Sequence, residues 1–564
     1  MRVAHGLSGV AASLAFAHTL HAKSLVARDD FSWENLASSS TLSWTPCYDT
    51  LQCTRFTVPL QYSNPSAGDA QLAVIMLPSN LSKSDPSYHG PLFINPGGPG
   101  ESGVQIVQEL GTFLQTIVGP GYDIVSFDPR AVGATTPSFQ IFNNTLEVSE
   151  FYGSYASDAS VGPAALGTGL AQARILGQLA ASNPEVRLVA ESSSTAAVAS
   201  DMLVLARVFG YQKVNYWGFS FASMFPDNVG RFIIDGVVNV HEYYTGKQPS
   251  ALLTIDAALS SVWDACVADG PSACAFAANA SSAADISTRV SALLTQLKTA
   301  PVPVFNGDGW ALADATVLAQ TLLGMLYNPY AYAPGIVDAL IALEAGDASL
   351  VAANSTTSVP FTTADAECAA RGLVQGLLEG KAVIQCGDII GEADTTLAEV
   401  NADYEAMRNV SEVFAPIFYP ESPGPCNGWP LRGKDVFNVS LGGNTSTPIL
   451  IVNNVYDPLT PLANARNVSA SFPRSVVLAQ NATGHTSLSG LSSCTMAAIG
   501  AYFGNGTLPK EGTVCPGGLT MFANKSTVAA REYSDEGKEY EHAARARSGF
   551  FGRRLRSIPW GKRL

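Results

Sequence analysis

Basic residues are scarce in this chain. Lys and Arg together number 32 against 47 Asp and Glu, a formal net charge of -15 over 564 residues. That balance argues against the broad cationic surface on which nucleic-acid binding depends. Charge of either sign is sparse too, at 14% against 47% hydrophobic residues. A chain so composed buries a core and does not stay disordered. Beyond the N-terminus no apolar segment of membrane-spanning length is expected. The nine cysteines include no C-x-x-C pair, so no zinc-site spacing is present and no metal is expected. The glycine-rich stretch at 97–100 lacks the spacing and following lysine of a phosphate-binding loop. No cofactor is expected.

The features that are present point to export. Arg2 precedes a short apolar stretch from Gly9 to Ala17, and Ala22 is a small residue suited to a cleavage point. Residues 1–22 therefore read as a signal peptide, and the mature protein as secreted and extracellular. Three cysteine pairs lie close in sequence: Cys47 with Cys53, Cys266 with Cys274, Cys494 with Cys515. They read as local disulfides of an oxidising compartment, with Cys386–Cys426 as a fourth pair and Cys368 left over. Sequons at Asn80, Asn143, Asn279, Asn354, Asn409, Asn438, Asn444, Asn467, Asn481, Asn505 and Asn524 predict a glycoprotein.

Strand-like and helix-like stretches alternate along much of the chain. Phe56–Leu60, Leu72–Leu77, Pro91–Asn95, Tyr122–Phe127, Val214–Trp217 and Arg231–Gly236 read as strands. Helical spacing follows Gly103 to about Ile117, and runs again from Thr195 to Phe209. From 241 to 440 the rhythm turns helical, as in Ala251–Val267 and Ala311–Leu326. Strands resume at Pro448–Asn453 and Ser475–Leu478, with a helix from Pro461 to Ser471 between them. This predicts an α/β fold, a mostly parallel sheet with helices on both faces and an inserted helical cap. The expected segments are a first core part at 23–240, a cap at 241–440, a C-terminal core part at 441–526 and a basic, disordered tail at 527–564.

Catalytic residues are sought at strand ends. Val214-Asn215-Tyr216-Trp217-Gly218-Phe219-Ser220 is an apolar strand that delivers a serine onto a turn, as a nucleophile elbow does. Ala222 stands where the elbow's last glycine is usual, and Pro226 follows too soon for a normal helix. A serine hydroxyl needs a histidine base, and the histidine a carboxylate. Of the seven histidines, His5, His18 and His21 leave with the signal and His542 lies in the tail. His89 precedes a strand and His241 opens the cap. His485 follows a predicted strand in Thr483-Gly484-His485-Thr486 and is the candidate base. Asp457, also after a strand, is the candidate acid, with Asp235 in reserve. The order Ser220, Asp457, His485 is that of α/β-hydrolases. Gly97 and Gly98, with the N–H of Phe221, are the candidate oxyanion donors.

These residues resemble the secreted tripeptidyl aminopeptidase-like branch of the proline iminopeptidase family. The likeness rests on Asn95-Pro96-Gly97-Gly98-Pro99-Gly100-Glu101-Ser102-Gly103, Phe127-Asp128-Pro129-Arg130 and Asn215-Tyr216-Trp217-Gly218-Phe219-Ser220. Asp457-Pro458-Leu459-Thr460-Pro461 and Gly484-His485 extend it. The resemblance implies a serine exopeptidase acting on peptides with a free N-terminus. A carboxylesterase with the same triad is the alternative. Ala131 departs from the family's glycine, and the segment between Ser220 and Met224-Phe225-Pro226-Asp227 is shorter than the family's. The latter allows a third reading, a catalytically impaired hydrolase-fold protein. An aminopeptidase needs an acid for the substrate ammonium. Glu101 is one candidate, set against its reading as a solvent-facing loop residue.

Overall fold

The computed structural model describes residues 31–154, 157–219, 226–305, 310–355, 374–390, 394–437 and 442–522. The predicted signal segment, Cys368, Ser220, Phe221 and the basic tail lie outside them.

The strands, in chain order, are β1 (Ser38–Ser39), β2 (Thr45–Cys47), β3 (Leu51–Pro59), β4 (Asp69–Leu77), β5 (Gly90–Asn95), β6 (Tyr122–Phe127), β7 (Val214–Phe219), β8 (Val229–Asp235), β9 (Val302–Phe305), β10 (Trp310–Ala313), β11 (Leu450–Tyr456), β12 (Val476–Thr483) and β13 (Val514–Pro516). All but β9 and β10 join one sheet, ordered β1-β3-β4-β6-β5-β7-β8-β11-β12-β13, with β2 paired to β3. From β6 to β13 every neighbouring pair is parallel, whereas β4 runs antiparallel to both β3 and β6. The chain is an α/β-hydrolase in fold.

Alternation along the strands builds two cores. Leu92, Ile94, Ile124, Trp217, Ile233, Leu450 and Val452 point to one face, where helices Gly103–Val118 and Ser493–Asn505 cover them. Phe93, Val125, Tyr216, Ile234, Ile449 and Ile451 point to the other, under helices Thr195–Val208 and Leu462–Ser471. A strand buried on both sides is largely apolar on both of its faces, and these runs are.

Between β8 and β11 the chain is helix-rich. It has its own apolar cluster, including Ile255, Trp263, Phe276, Leu318, Leu322, Leu340 and Phe414. The predicted helix Ala311–Leu326 is in fact a strand followed by a helix. Trp310–Ala313 pairs antiparallel with Val302–Phe305, and the helix spans Ala315–Tyr327. Asp314 sets the boundary, because its side chain accepts from the Val317 N–H at the helix start. The predicted strand Phe56–Leu60 begins earlier, at Leu51, where β2 and the Cys47–Cys53 bridge extend the pairing. Residues 139–190, which precede β7, pack against 382–431 in a further cluster around Leu176, Val383 and Trp429.

Disulfides join Cys47–Cys53, Cys266–Cys274, Cys386–Cys426 and Cys494–Cys515.

Candidate active site

The C-terminal ends of the parallel strands carry the site. β11 and β12 are parallel neighbours, so their following loops emerge side by side. Those loops hold Asp457 and His485. His485 Nδ1 lies 3.1 Å from both Asp457 carboxylate oxygens. Asp457 is fully buried and His485 nearly so.

A buried carboxylate needs donors. Asp457 Oδ1 accepts the Leu459 N–H at 3.0 Å and the Thr460 N–H at 2.8 Å, and Oδ2 accepts the Thr486 N–H at 2.9 Å. The acid is thereby fixed before it meets the imidazole. Thr460 Oγ1, also 3.1 Å from His485 Nδ1, stands beside the same nitrogen. With Nδ1 turned to an acceptor-only carboxylate, it carries the proton, and Nε2 is left to act as a base.

The His485 loop is tied from several sides. Asn454 Nδ2, buried in β11, donates to the carbonyls of Gly484 and Thr486 at 2.8 and 2.7 Å. Gln480 Nε2 donates to the Ser487 carbonyl and to Asn454 Oδ1, both at 2.9 Å. Thr486 sits at φ 64, a left-handed conformation that costs a β-branched residue energy and persists only where neighbours enforce it. The helical insertion adds further ties. The His485 N–H donates to the Tyr327 carbonyl at 3.1 Å, and the two rings meet edge to face with centroids 5.7 Å apart. Thr254 Oγ1 donates to the Asp457 carbonyl, and the Thr483 N–H donates to Tyr330 Oη at 3.3 Å.

The glycine loop follows β5. Gly97 and Gly98 have φ of 94 and 108, and a Cβ on Gly98 would stand 2.9 Å from the Gly100 nitrogen. Only glycine suits this turn. Both line one cavity with His485, Thr460, Tyr327 and Tyr243. The Gly97 N–H already donates to Asn95 Oδ1 at 2.9 Å. The reading of Glu101 as solvent-facing needs correction. It is buried, and it is not among the described residues lining the cavity. Ser102, next to it, caps the helix Gly103–Val118 and donates to Asp128 Oδ1 at 2.5 Å, which draws the chain inward. Among the described lining residues the carboxylate is Glu242, whose oxygens accept from Asn239 Nδ2 and from the N–H and Oγ of Ser250.

Asp235, held in reserve as the acid, does not face the imidazole with a hydrogen bond. It accepts the Ser487 N–H and Oγ instead, at 2.7 and 2.5 Å. Burial pushes its carboxyl up to about 6. Ala131 adopts φ 65, which accounts for the glycine expected there. β7 ends at Phe219, one residue before Ser220. The β7–β8 pair is parallel, yet residues 220–228 alone connect the two strands. A parallel crossover ordinarily takes a dozen or more residues.

The parallel sheet, the glycine loop and the buried Asp–His pair at strand ends together define an α/β-hydrolase of the serine hydrolase class. Residues 412–515 match a family model described as "TAP-like protein". Tripeptidyl aminopeptidase of Streptomyces lividans is 24% identical over 518 residues, 87% of each chain. Serine protease Hip1 of Mycobacterium tuberculosis is 24% identical over 498 residues, 84% of this chain and 91% of that one. Carboxylesterase B of the same organism is 24% identical over 502 residues, 84% and 89%. Over most of its length the chain is thus similar to tripeptidyl aminopeptidase-like α/β-hydrolases.

Proposed function

We propose that this protein is a secreted serine exopeptidase that releases short peptides or single residues from free N-termini, with Ser220 as nucleophile, His485 as base and Asp457 as its orienting acid. The observation that carries this reading is the buried Asp457–His485 pair, 3.1 Å apart, on the cavity that also holds the glycine loop.

In the first step Ser220 Oγ attacks the scissile carbonyl carbon while His485 Nε2 takes the hydroxyl proton. The imidazolium formed is balanced by Asp457. The oxyanion of the tetrahedral intermediate takes hydrogen bonds from the N–H groups of Gly98 and Phe221. Collapse breaks the carbonyl–nitrogen bond, and the departing amine leaves with the proton held by His485. Water then attacks the acyl carbon as His485 Nε2 takes its proton; collapse breaks the acyl–oxygen bond, His485 returns that proton to Ser220 Oγ, and the acid leaves. The substrate's ammonium would meet Glu242. Four disulfides and exposed sequon asparagines such as Asn80, Asn279 and Asn409 support an extracellular glycoprotein.

The test is a parallel assay of wild type and Ser220→Ala on aminoacyl and tripeptidyl 4-nitroanilides and on short acyl esters. Cleavage of anilides by wild type alone is expected. Cleavage of esters only would make the protein an esterase, as its carboxylesterase-named relative would suggest.

The nine-position link 220–228 favours a second reading, a hydrolase fold with impaired chemistry. A fluorophosphonate that fails to label Ser220 would establish it, provided a variant with a longer link is labelled.

A further inference from the structure

We propose that Asp235 is a positioning residue that sets the nucleophile's strand against the loop carrying the base. This rests on the Ser220–His485–Asp457 reading above. Asp235 closes β8 and is fully buried. Its Oδ1 accepts the Ser487 N–H at 2.7 Å. Its Oδ2 accepts Ser487 Oγ at 2.5 Å and Trp217 Nε1 at 3.3 Å. Ser487 lies two positions after His485, and Trp217 three positions before Ser220.

The topology makes this bridge consequential. β7 and β8 are neighbours, but the His485 loop leaves β12, on the far side of β11. No ladder hydrogen bond joins β7 to β12. One carboxylate spans that gap, holding an indole on one side and a loop backbone on the other. Three donors suit an ionised, acceptor-only group. An isolated buried charge would destabilise the core, so it is kept only where its partners use it. The loop it holds is also the strained one, with Thr486 at φ 64. Asp457 and Asn454 hold that residue from the near side. Asp235 fixes the next residue from the sheet side.

Geometry of this kind acts on turnover more than on binding. Displacement of a reacting group by about 1 Å costs on the order of a hundredfold in rate. The full chain is compared with Asp235→Asn, Trp217→Phe, Ser487→Ala and the Trp217→Phe/Ser487→Ala pair. The readouts are kcat, KM, the rate of fluorophosphonate labelling at Ser220, and thermal unfolding. Asp235→Asn is expected to lower kcat and labelling about tenfold or more, with KM within about twofold. Trp217 and Ser487 both donate to Asp235 Oδ2, so the paired variant should lose less than the product of the single losses. If Asp235→Asn does not fold, the Trp217/Ser487 cycle decides. Labelling of Asp235→Asn at the wild-type rate, or single losses that simply multiply, overturns the proposal and leaves the triad standing. A wild type that never labels overturns the triad, and this proposal with it.

Discussion

Replacing Asp457 by Asn changes one atom, and the surroundings dictate where that atom goes. Oδ1 faces two backbone donors, Leu459 and Thr460, as well as the imidazole. Oδ2 faces one, Thr486, and the imidazole. The amide nitrogen therefore takes the Oδ2 position, where it meets the fewer donors. There it opposes the Thr486 N–H and leaves it without an acceptor. A buried donor so orphaned costs about 1–3 kcal/mol of stability. The same amide nitrogen points a hydrogen at His485 Nδ1. Nδ1 must then accept, the ring proton moves to Nε2, and the base can no longer take the serine's proton. The corresponding substitution in the general serine-protease triad lowers kcat by about 10⁴, roughly 5.5 kcal/mol of barrier. A similar loss is expected here, with KM little changed. Steady-state kinetics on the preferred ester or anilide measure it, and thermal unfolding reports the stability cost separately. A folded Asp457→Asn protein with kcat within tenfold of wild type would refute the assignment of Asp457 and the tautomer argument together.

Other perturbations test separate parts of the structure. Glu242→Gln should raise KM for substrates with a free N-terminus several-fold and leave esters untouched, because only the former bring an ammonium into the cavity; equal effects on both would remove Glu242 from recognition. Opening Cys386–Cys426, which closes a loop across a separation of 40 residues, by a double change to Ser should cost about 4 kcal/mol by the loop-entropy relation, read as a fall in the denaturant midpoint. Glu379 is fully buried, and burial pushes its carboxyl from an ordinary 4.5 to about 8. The folded state thus keeps a proton that the unfolded state releases. This group's contribution is neutral below 4.5, turns progressively unfavourable as pH rises to about 8, and is flat above it. Glu379→Gln should therefore gain stability over wild type across that window, and a constant difference from pH 4 to 9 would contradict the sign.

The sheet was readable because its chemistry is repetitive. Runs such as Pro91–Asn95 and Tyr122–Phe127 are buried on both faces and mostly apolar, so their type is plain from composition. Helices built from small residues were harder. Ala165–Ser182 buries Ala173, Gly177 and Ala180, a stripe too weakly apolar to stand out. Its logic is steric, since a Cβ on Gly177 would lie 2.5 Å from Pro430 Cδ. That contact joins segments far apart in the chain, which no local window can reveal. The site divides along the same line. Asp457 and His485 each follow an apolar strand, so their candidacy is local. The residues that make the pair usable are not local. Asn454 and Gln480 sit inside strands β11 and β12, where an isolated polar residue reads as an exposed face. Both are fully buried, and they bond to each other and to the His485 loop. The clue lay in the interruption itself. A polar residue that breaks a run buried on both sides must find a partner, and near a strand's C-terminal end that partner is a loop carrying function. Asp235 fits the same rule. It is the polar end of an apolar strand, and its partners, Trp217 and Ser487, come from the two segments a serine hydrolase most needs to keep in register.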